Sequence, residues 1–366
     1  MDPAHAHERN NFDALRILAA LMVVFGHAYI LSGRGAAEPL AAFTGIGGFG
    51  ELGVSIFFVV SGFLVTMSHQ RLGDVRAFMV NRGLRILPGL AAAVVLTALV
   101  LGPLVSTLAP ADYFSRPQTW LYPLRNVLLY PVDYLLPGVF AHNPYPDAVN
   151  GSLWTLRLEF SFYLTIPLLA WCGLLTRTGL RAVAAAAAAA YLAVVALGPA
   201  HAPVMALIAT RNFYLFAAGA ALFMWRGHPA LRSPGVLSLA GLLFVAALPF
   251  KPVTAYVAPI VLPLVVAGLA LRPVRGVSAA ARFGDLSYGV YIYAFPVQQA
   301  WMALLGPQRL DVAGFLGVTL ACVLPLAALS WWLVERPALG LKAVVHARLA
   351  QNKAPRLLPA EQAELS

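Results

Sequence analysis

Stretches of about 20 apolar residues, enough to cross the hydrocarbon core of a bilayer, recur along this 366-residue chain. They fall at roughly 13–32, 49–68, 84–107, 153–174, 180–198, 203–224, 234–249, 253–271, 285–305 and 313–334. Only helices and closed barrels satisfy their backbone inside lipid. A barrel strand would alternate polar and apolar residues, and these stretches do not. The fold class is therefore all-α: a polytopic membrane protein with about ten transmembrane helices. Charged residues make up only 11% of the chain, against about 25% in soluble domains. That excludes a soluble enzyme, a disulfide scaffold and a disordered chain. The seventh stretch is short, and residues 184–190 are seven consecutive alanines. Such a run suits a helix packed on its neighbours.

The net charge of +10 would suggest nucleic acid on a soluble chain. Here it has a plainer cause, since Lys and Arg hold cytoplasmic loops inside, and no nucleic-acid partner is expected. With the N-terminus cytoplasmic, 17 of the 25 basic residues fall on inner segments, five on outer loops and three within spans. Both termini then lie in the cytoplasm. The first stretch is too long for a secretory h-region and carries Arg16 and His27, so it reads as a retained helix. The outer loop 108–152 holds Trp120, Tyr122, Tyr130, Tyr134 and Tyr145, which suits either an ordered lid or an interfacial aromatic belt. Cys172 and Cys322 show no metal-ligand spacing and read as packing residues; no metal is expected. No repeat argues for an inverted-repeat transporter. Residues 343–366 read as a polar, disordered cytoplasmic tail.

Ionisable side chains inside spans are costly and mark function. The first span carries Asp13, Arg16 and His27. Arg16 and His27 are eleven residues apart, three turns plus about 20°, so they share a helix face about 16 Å long. Glu159 lies about as far below the outer boundary on its own helix as His27 does on its, which would let the two meet. A carboxylate beside a histidine raises its basicity, as a general base requires. The competing reading pairs Glu159 with Arg157 or Arg211 as a structural ion pair. Arg82 and Arg85 stand at i and i+3 at the start of the third span, where free backbone N–H groups would complete a phosphate site. Arg275 and Arg282 are the fallback for that role. A ligand with a phosphorylated head and a long thin arm would join the arginines to the histidine, and acyl-coenzyme A has that shape.

Several segments resemble the integral-membrane acyltransferase family 3, the bacterial sugar and polysaccharide O-acyltransferases. They are Phe12-Asp13-Ala14-Leu15-Arg16 with Gly26-His27, Gly53 through Leu64 including Ser61, and Arg82-x-x-Arg85. Ser152-Leu153-Trp154-Thr155-Leu156 with Glu159 and Tyr163 follows. Gly284-Asp285-Leu286-Ser287-Tyr288 through Tyr293 and Glu335-Arg336-Pro337 complete the set. They keep the family's order across residues 12–337. The resemblance implies a domain over residues 1–342 in a bacterial inner membrane. Its implied activity moves an acyl group, usually acetyl from acetyl-coenzyme A, to a hydroxyl of a lipid-linked or cell-surface glycan such as lipopolysaccharide or exopolysaccharide. It implies that His27 is catalytic and that Arg16, Arg82 and Arg85 are required, with no metal. Many members carry a second histidine in the ninth span, where this chain has Ala294. The resemblance leads us to expect a stand-alone acyltransferase without an attached esterase-like domain. Oligomeric state stays open, a homo-oligomer included. The rival is a multi-span exporter of a glycan or anionic small molecule, using Arg16, Arg157, Arg211 and Glu159 as its path. A lipid-anchoring structural protein would leave the buried charges unexplained.

Overall fold

A computed structural model describes residues 10–44, 47–198, 200–272 and 284–351. Arg275 and Arg282 lie outside the described residues. The long helices are α1 (Phe12–Leu31), α2 (Phe49–Leu72), α3 (Val75–Val105), α4 (Leu153–Trp171), α5 (Arg177–Leu197), α6 (Val204–Met224), α7 (Pro234–Ala247), α8 (Lys251–Ala270), α9 (Ser287–Leu305) and α10 (Val312–Ser330). A wider turn at Trp331–Glu335 carries α10 into α11 (Arg336–Gln351). The described residues hold no strand beyond one isolated bridge between Ser106 and Val139. Among the described residues, seven helices are long and apolar enough to cross a membrane: α1, α2, α3, α5, α6, α8 and the continuous helix that begins with α10. The helix α7 is short, as its sequence indicated. Polar residues dilute α4 and α9, among them Arg157 and Glu159 in one and Gln298 and Gln299 in the other.

The bundle is built around α2, which is buried along most of its length and packs on α1 and α6. Glycine permits both contacts. The Gly26 and Gly50 backbones touch where α1 crosses α2, and Gly62 and Gly219 face each other's helix backbone where α2 crosses α6. Small residues let membrane helices approach this closely, so that dispersion does the work water does elsewhere. The helices α1 and α9 run parallel: Arg16 meets Asp285 near one end, and His27 meets Phe295 further along. The same is true of α2 and α6, with Glu51 on Arg211 at one end and Gln70 on Met224 at the other. Those directions agree with a path that alternates across the bilayer.

Three expectations change. The third helix begins at Val75, not near residue 84, because the Asp74 carboxylate accepts from Ala77 N at 2.8 Å and caps it. The tail is helical to Gln351, and His346 Nε2 lies 3.0 Å from Asn81 Oδ1, fastening α11 to α3. Residues 352–366 lie outside the described residues. Cys322 is half-buried, but Cys172, at the C-terminal end of α4, is exposed and packs nothing.

The outer loop is ordered. Two helices, Pro110–Ser115 and Pro117–Leu128, fold over the end of α3. Tyr113 is fully buried and donates to the Ala98 carbonyl at 2.7 Å. Burial pushes its hydroxyl up to about 12, so this anchor stays protonated at physiological pH. Asn126 exchanges hydrogen bonds with Asp133, closing the loop on itself. Trp120, Tyr130 and Tyr145 stay exposed, so the loop combines a folded lid with an aromatic rim.

Candidate active site

The helices α1, α2, α3, α4 and α9 enclose a cavity of about 790 Å³. Arg16, Arg82 and Arg85 line one part of it, Ser61, Glu159 and Tyr163 its side, and Phe57, Thr155 and Tyr291 the far part. Arg82 and Arg85 sit at least two turns inside α3, so the helix N-terminus is too far away to contribute. Their guanidinium groups must do any anion binding themselves. Arg16 and Arg85 both donate to one oxygen of Asp285, whose other oxygen accepts from Ser287 Oγ at 2.5 Å. Arg82 forms no ion pair among the described residues: it donates to Ser68 Oγ at 3.2 Å and lies over the Tyr163 and Phe78 rings. Its Nε is buried with no hydrogen-bond partner among the described residues. Tyr288 carries Arg85 over its ring and donates to the Ile86 carbonyl at 2.8 Å. Gly89 makes room for this contact, because a Cβ there would lie 2.7 Å from the Tyr288 ring and 3.2 Å from Glu335 Cγ.

Glu159 is bound by its neighbours. Tyr163 donates to Glu159 Oε1 at 2.5 Å, and Ser61 Oγ donates to the same oxygen at 3.2 Å. No ion pair joins it to Arg157 or Arg211 among the described residues. Arg157 is exposed beside the Tyr130 ring, and Arg211 pairs with Glu51. Nor does Glu159 contact His27. Equal depth did not bring them together: His27 turns to Phe295 of α9, whereas Glu159 turns to Ser61 of α2 and to Tyr163 on its own helix.

His27 does face the same neighbour as Arg16. Its ring stands edge-on to Phe295 at 5.1 Å between centroids, and its Nδ1 is buried without a partner among the described residues. It does not line the cavity. Tyr291, one turn below Phe295 on α9, closes that part of the cavity: its hydroxyl bonds Thr155 Oγ1 and donates to the Ser152 carbonyl at 3.2 Å. His27 therefore lies about one helical turn, roughly 6 Å, beyond the cavity's end along α9. Of the remaining candidates, Asp13 is exposed in the first turn of α1 and Trp154 is half-buried outside the cavity wall.

The arrangement is chemically polarised. Guanidinium groups that can grip phosphate oxygens pairwise lie at one end, and a half-buried imidazole stands beyond the other. The chain matches the acyltransferase domain family over residues 9–335. It belongs to that acyltransferase family. It is 32% identical to a protein of Rhizobium leguminosarum bv. viciae named Nodulation protein 10, covering 95% of this chain and 99% of that one. A protein of Shigella phage Sf6 named O-acetyl transferase is 29% identical, covering 90% of this chain and 96% of the relative. No solved structure matches significantly.

In this membrane O-acyltransferase the site also brings together residues to which the sequence motifs assigned no role. Asp285 ties two arginines together, and Tyr163 binds Glu159 while lying beside Arg82. Glu335 is buried, accepting from Ser330 Oγ at 2.9 Å, with its second oxygen unpartnered among the described residues. Asp285 and Glu335 stand in two of the quoted segments, which was the available signal, but only folding shows what each acid meets. Among the described residues, no cluster of three His, Cys, Asp or Glu side chains is placed to hold a metal.

Proposed function

We propose that the enzyme transfers an acyl group, in the simplest case acetyl, from cytoplasmic acyl-coenzyme A to a hydroxyl of a lipid-linked or cell-surface glycan. The setting is a bacterial inner membrane crossed ten times, with both termini cytoplasmic. The observation that carries this reading is the cavity itself, with Arg16, Arg82 and Arg85 at one end and apolar and aromatic walls leading from them towards His27. The arginines would hold the donor's phosphates, and the narrow arm would run along α9. The name of the phage relative supports acetyl as the group moved.

In the direct route, His27 takes the proton of the acceptor hydroxyl as its oxygen attacks the thioester carbonyl. The tetrahedral oxyanion then collapses and expels coenzyme A thiolate, which receives that proton. In a relay, His27 attacks the thioester first and expels coenzyme A thiolate, which takes the imidazole proton; the acceptor oxygen then cleaves the acyl-imidazole, and its proton passes to the freed ring. Tyr291 must shift in either route, because it stands between the cavity and His27.

The test is glycan mass spectrometry of a deletion strain, paired with acetyl-coenzyme A binding to the purified protein. Loss of an acetyl-sized increment together with binding supports the reading. An unchanged acylation pattern, or a glycan that is unmodified because it is mislocalised, would overturn it.

A further inference from the structure

A second cavity, of about 1010 Å³, lies across α2 from the first, between α2, α5, α6, α7 and α8. Val194, Leu207, Phe244 and Leu262 give it apolar walls. Most of its polar side chains are already spent on backbone: Ser55 donates to the Glu51 carbonyl at 2.8 Å, Thr254 to Ala247 at 2.5 Å and Tyr191 to Ala255 at 2.6 Å. What remains is the Glu51–Arg211 ion pair. Arg211 is 8% exposed, and its Nε is buried with no partner among the described residues. An ion pair held in the membrane is costly, and the donor cavity makes no use of this one.

The pair is also close to the chemistry. Gly26 and Gly50 touch at the α1–α2 crossing. His27 leaves that crossing towards α9, and Glu51 leaves it towards α6. The outer wall faces lipid, because α7 and α8 expose Leu239, Leu242, Leu243 and Ile260. A ligand dissolved in the bilayer would meet this wall.

We propose that this cavity holds the apolar chain of the acyl acceptor, an amphiphile whose uncharged, hydroxylated head bonds to Glu51 and Arg211. The assignment rests on the reading of the protein as an acyltransferase with an outer-side acceptor. The charge balance selects the head. Arg211 is already neutralised, so an anionic head would face the Glu51 carboxylate at close range. A hydroxyl instead donates to the carboxylate, and a ring or hydroxyl oxygen accepts from Nε.

The experiment uses the full chain in phosphatidylcholine vesicles and a decyl glucoside carrying a diazirine at the end of its chain. After irradiation, adducts should map to Val194, Leu207 and Leu262. Unlabelled decyl glucoside should compete, and decyl phosphate at the same concentration should not. Labelling should fall roughly tenfold in Leu207→Trp, which fills the cavity, and in Ala202→Trp, which plugs it from a loop. Adducts spread over the outer helices, equal competition by decyl phosphate, or a co-purified phosphatidylcholine held at these residues would overturn the proposal. Acetyl-coenzyme A binding is measured on the same samples and should be unchanged in both variants. Failure of the wild type to bind it would sink the donor reading alone, because the labelling pattern does not depend on it.

Discussion

Arg82 offers the cleanest test of the donor site, because its removal orphans no carboxylate. Losing a charge-assisted contact of about 1.5–3 kcal/mol should weaken acetyl-coenzyme A binding roughly tenfold to a hundredfold in Arg82→Ala. Lys should rescue poorly where two oxygens are gripped; titration calorimetry in detergent would show it. Asp285 should behave differently. It holds two arginines in a confined space, so Asp285→Ala should cost about 3–5 kcal/mol as an uncompensated buried charge. Adding Arg16→Gln should restore part of that stability, and thermal unfolding of the single and double variants would reveal it. His27→Ala should lower transfer by about 10²–10⁴-fold with insertion intact, since its ring meets Phe295 but anchors no hydrogen bond among the described residues. Its effect should combine additively with that of Glu159→Gln, because the two do not touch. Ser61→Ala and Glu159→Gln should be non-additive, because Ser61 bonds that carboxylate. Strong coupling between His27 and Glu159 in a double-variant activity cycle would restore the dyad that equal depth suggested. Depth was legible in the sequence; that His27 turns to Phe295 and Glu159 to Ser61 and Tyr163 was not.

At the scale of the helix, hydropathy located the long apolar elements because lipid leaves few alternatives. It missed the start of α3, where Arg76, Asn81 and Arg82 make the first two turns of the helix look like a loop. The signal that was available is local: Asp74 three residues before Ala77, an N-cap. Apolar windows located α4 and α9 as well, although Arg157, Glu159, Gln298 and Gln299 dilute them. The crossings of α2 were harder to read, since Gly62 and Gly219 are two glycines among 30. Their role is testable. A Cβ on Gly62 would strike the Phe216 carbonyl oxygen and the Ala220 nitrogen, which are backbone and cannot rotate away. Gly62→Ala should therefore destabilise by about 1–3 kcal/mol, as overpacking does. Gly241 and Gly317 face open space on α7 and α10. Alanine there should stabilise by up to about 1 kcal/mol through helix propensity. Thermal unfolding of the three variants decides it: equal losses at all three positions would mean that the α2–α6 contact is not close-packed.

For the whole molecule, donor and acceptor chemistry depend on which face meets the cytoplasm. The excess of Lys and Arg on one set of loops gives the direction. The parallel runs of α1 with α9, and of α2 with α6, fit an alternating path. Asp112, in the ordered outer loop, and Gly227, after α6, are both exposed and lie on opposite sides in this scheme. With Cys172 and Cys322 replaced by alanine, Asp112→Cys should react with a membrane-impermeant maleimide on intact cells. Gly227→Cys should react only after the membrane is opened. The reverse pattern would turn Arg16, Arg82 and Arg85 away from the cytoplasm. A cytoplasmic phosphorylated donor could not then reach them, and the acyl group would have to come from the other side. Labelling of both positions on intact cells would mean that the two loops share a face. The number of crossings between them would then be even, and one of α4, α5 and α6 would not span.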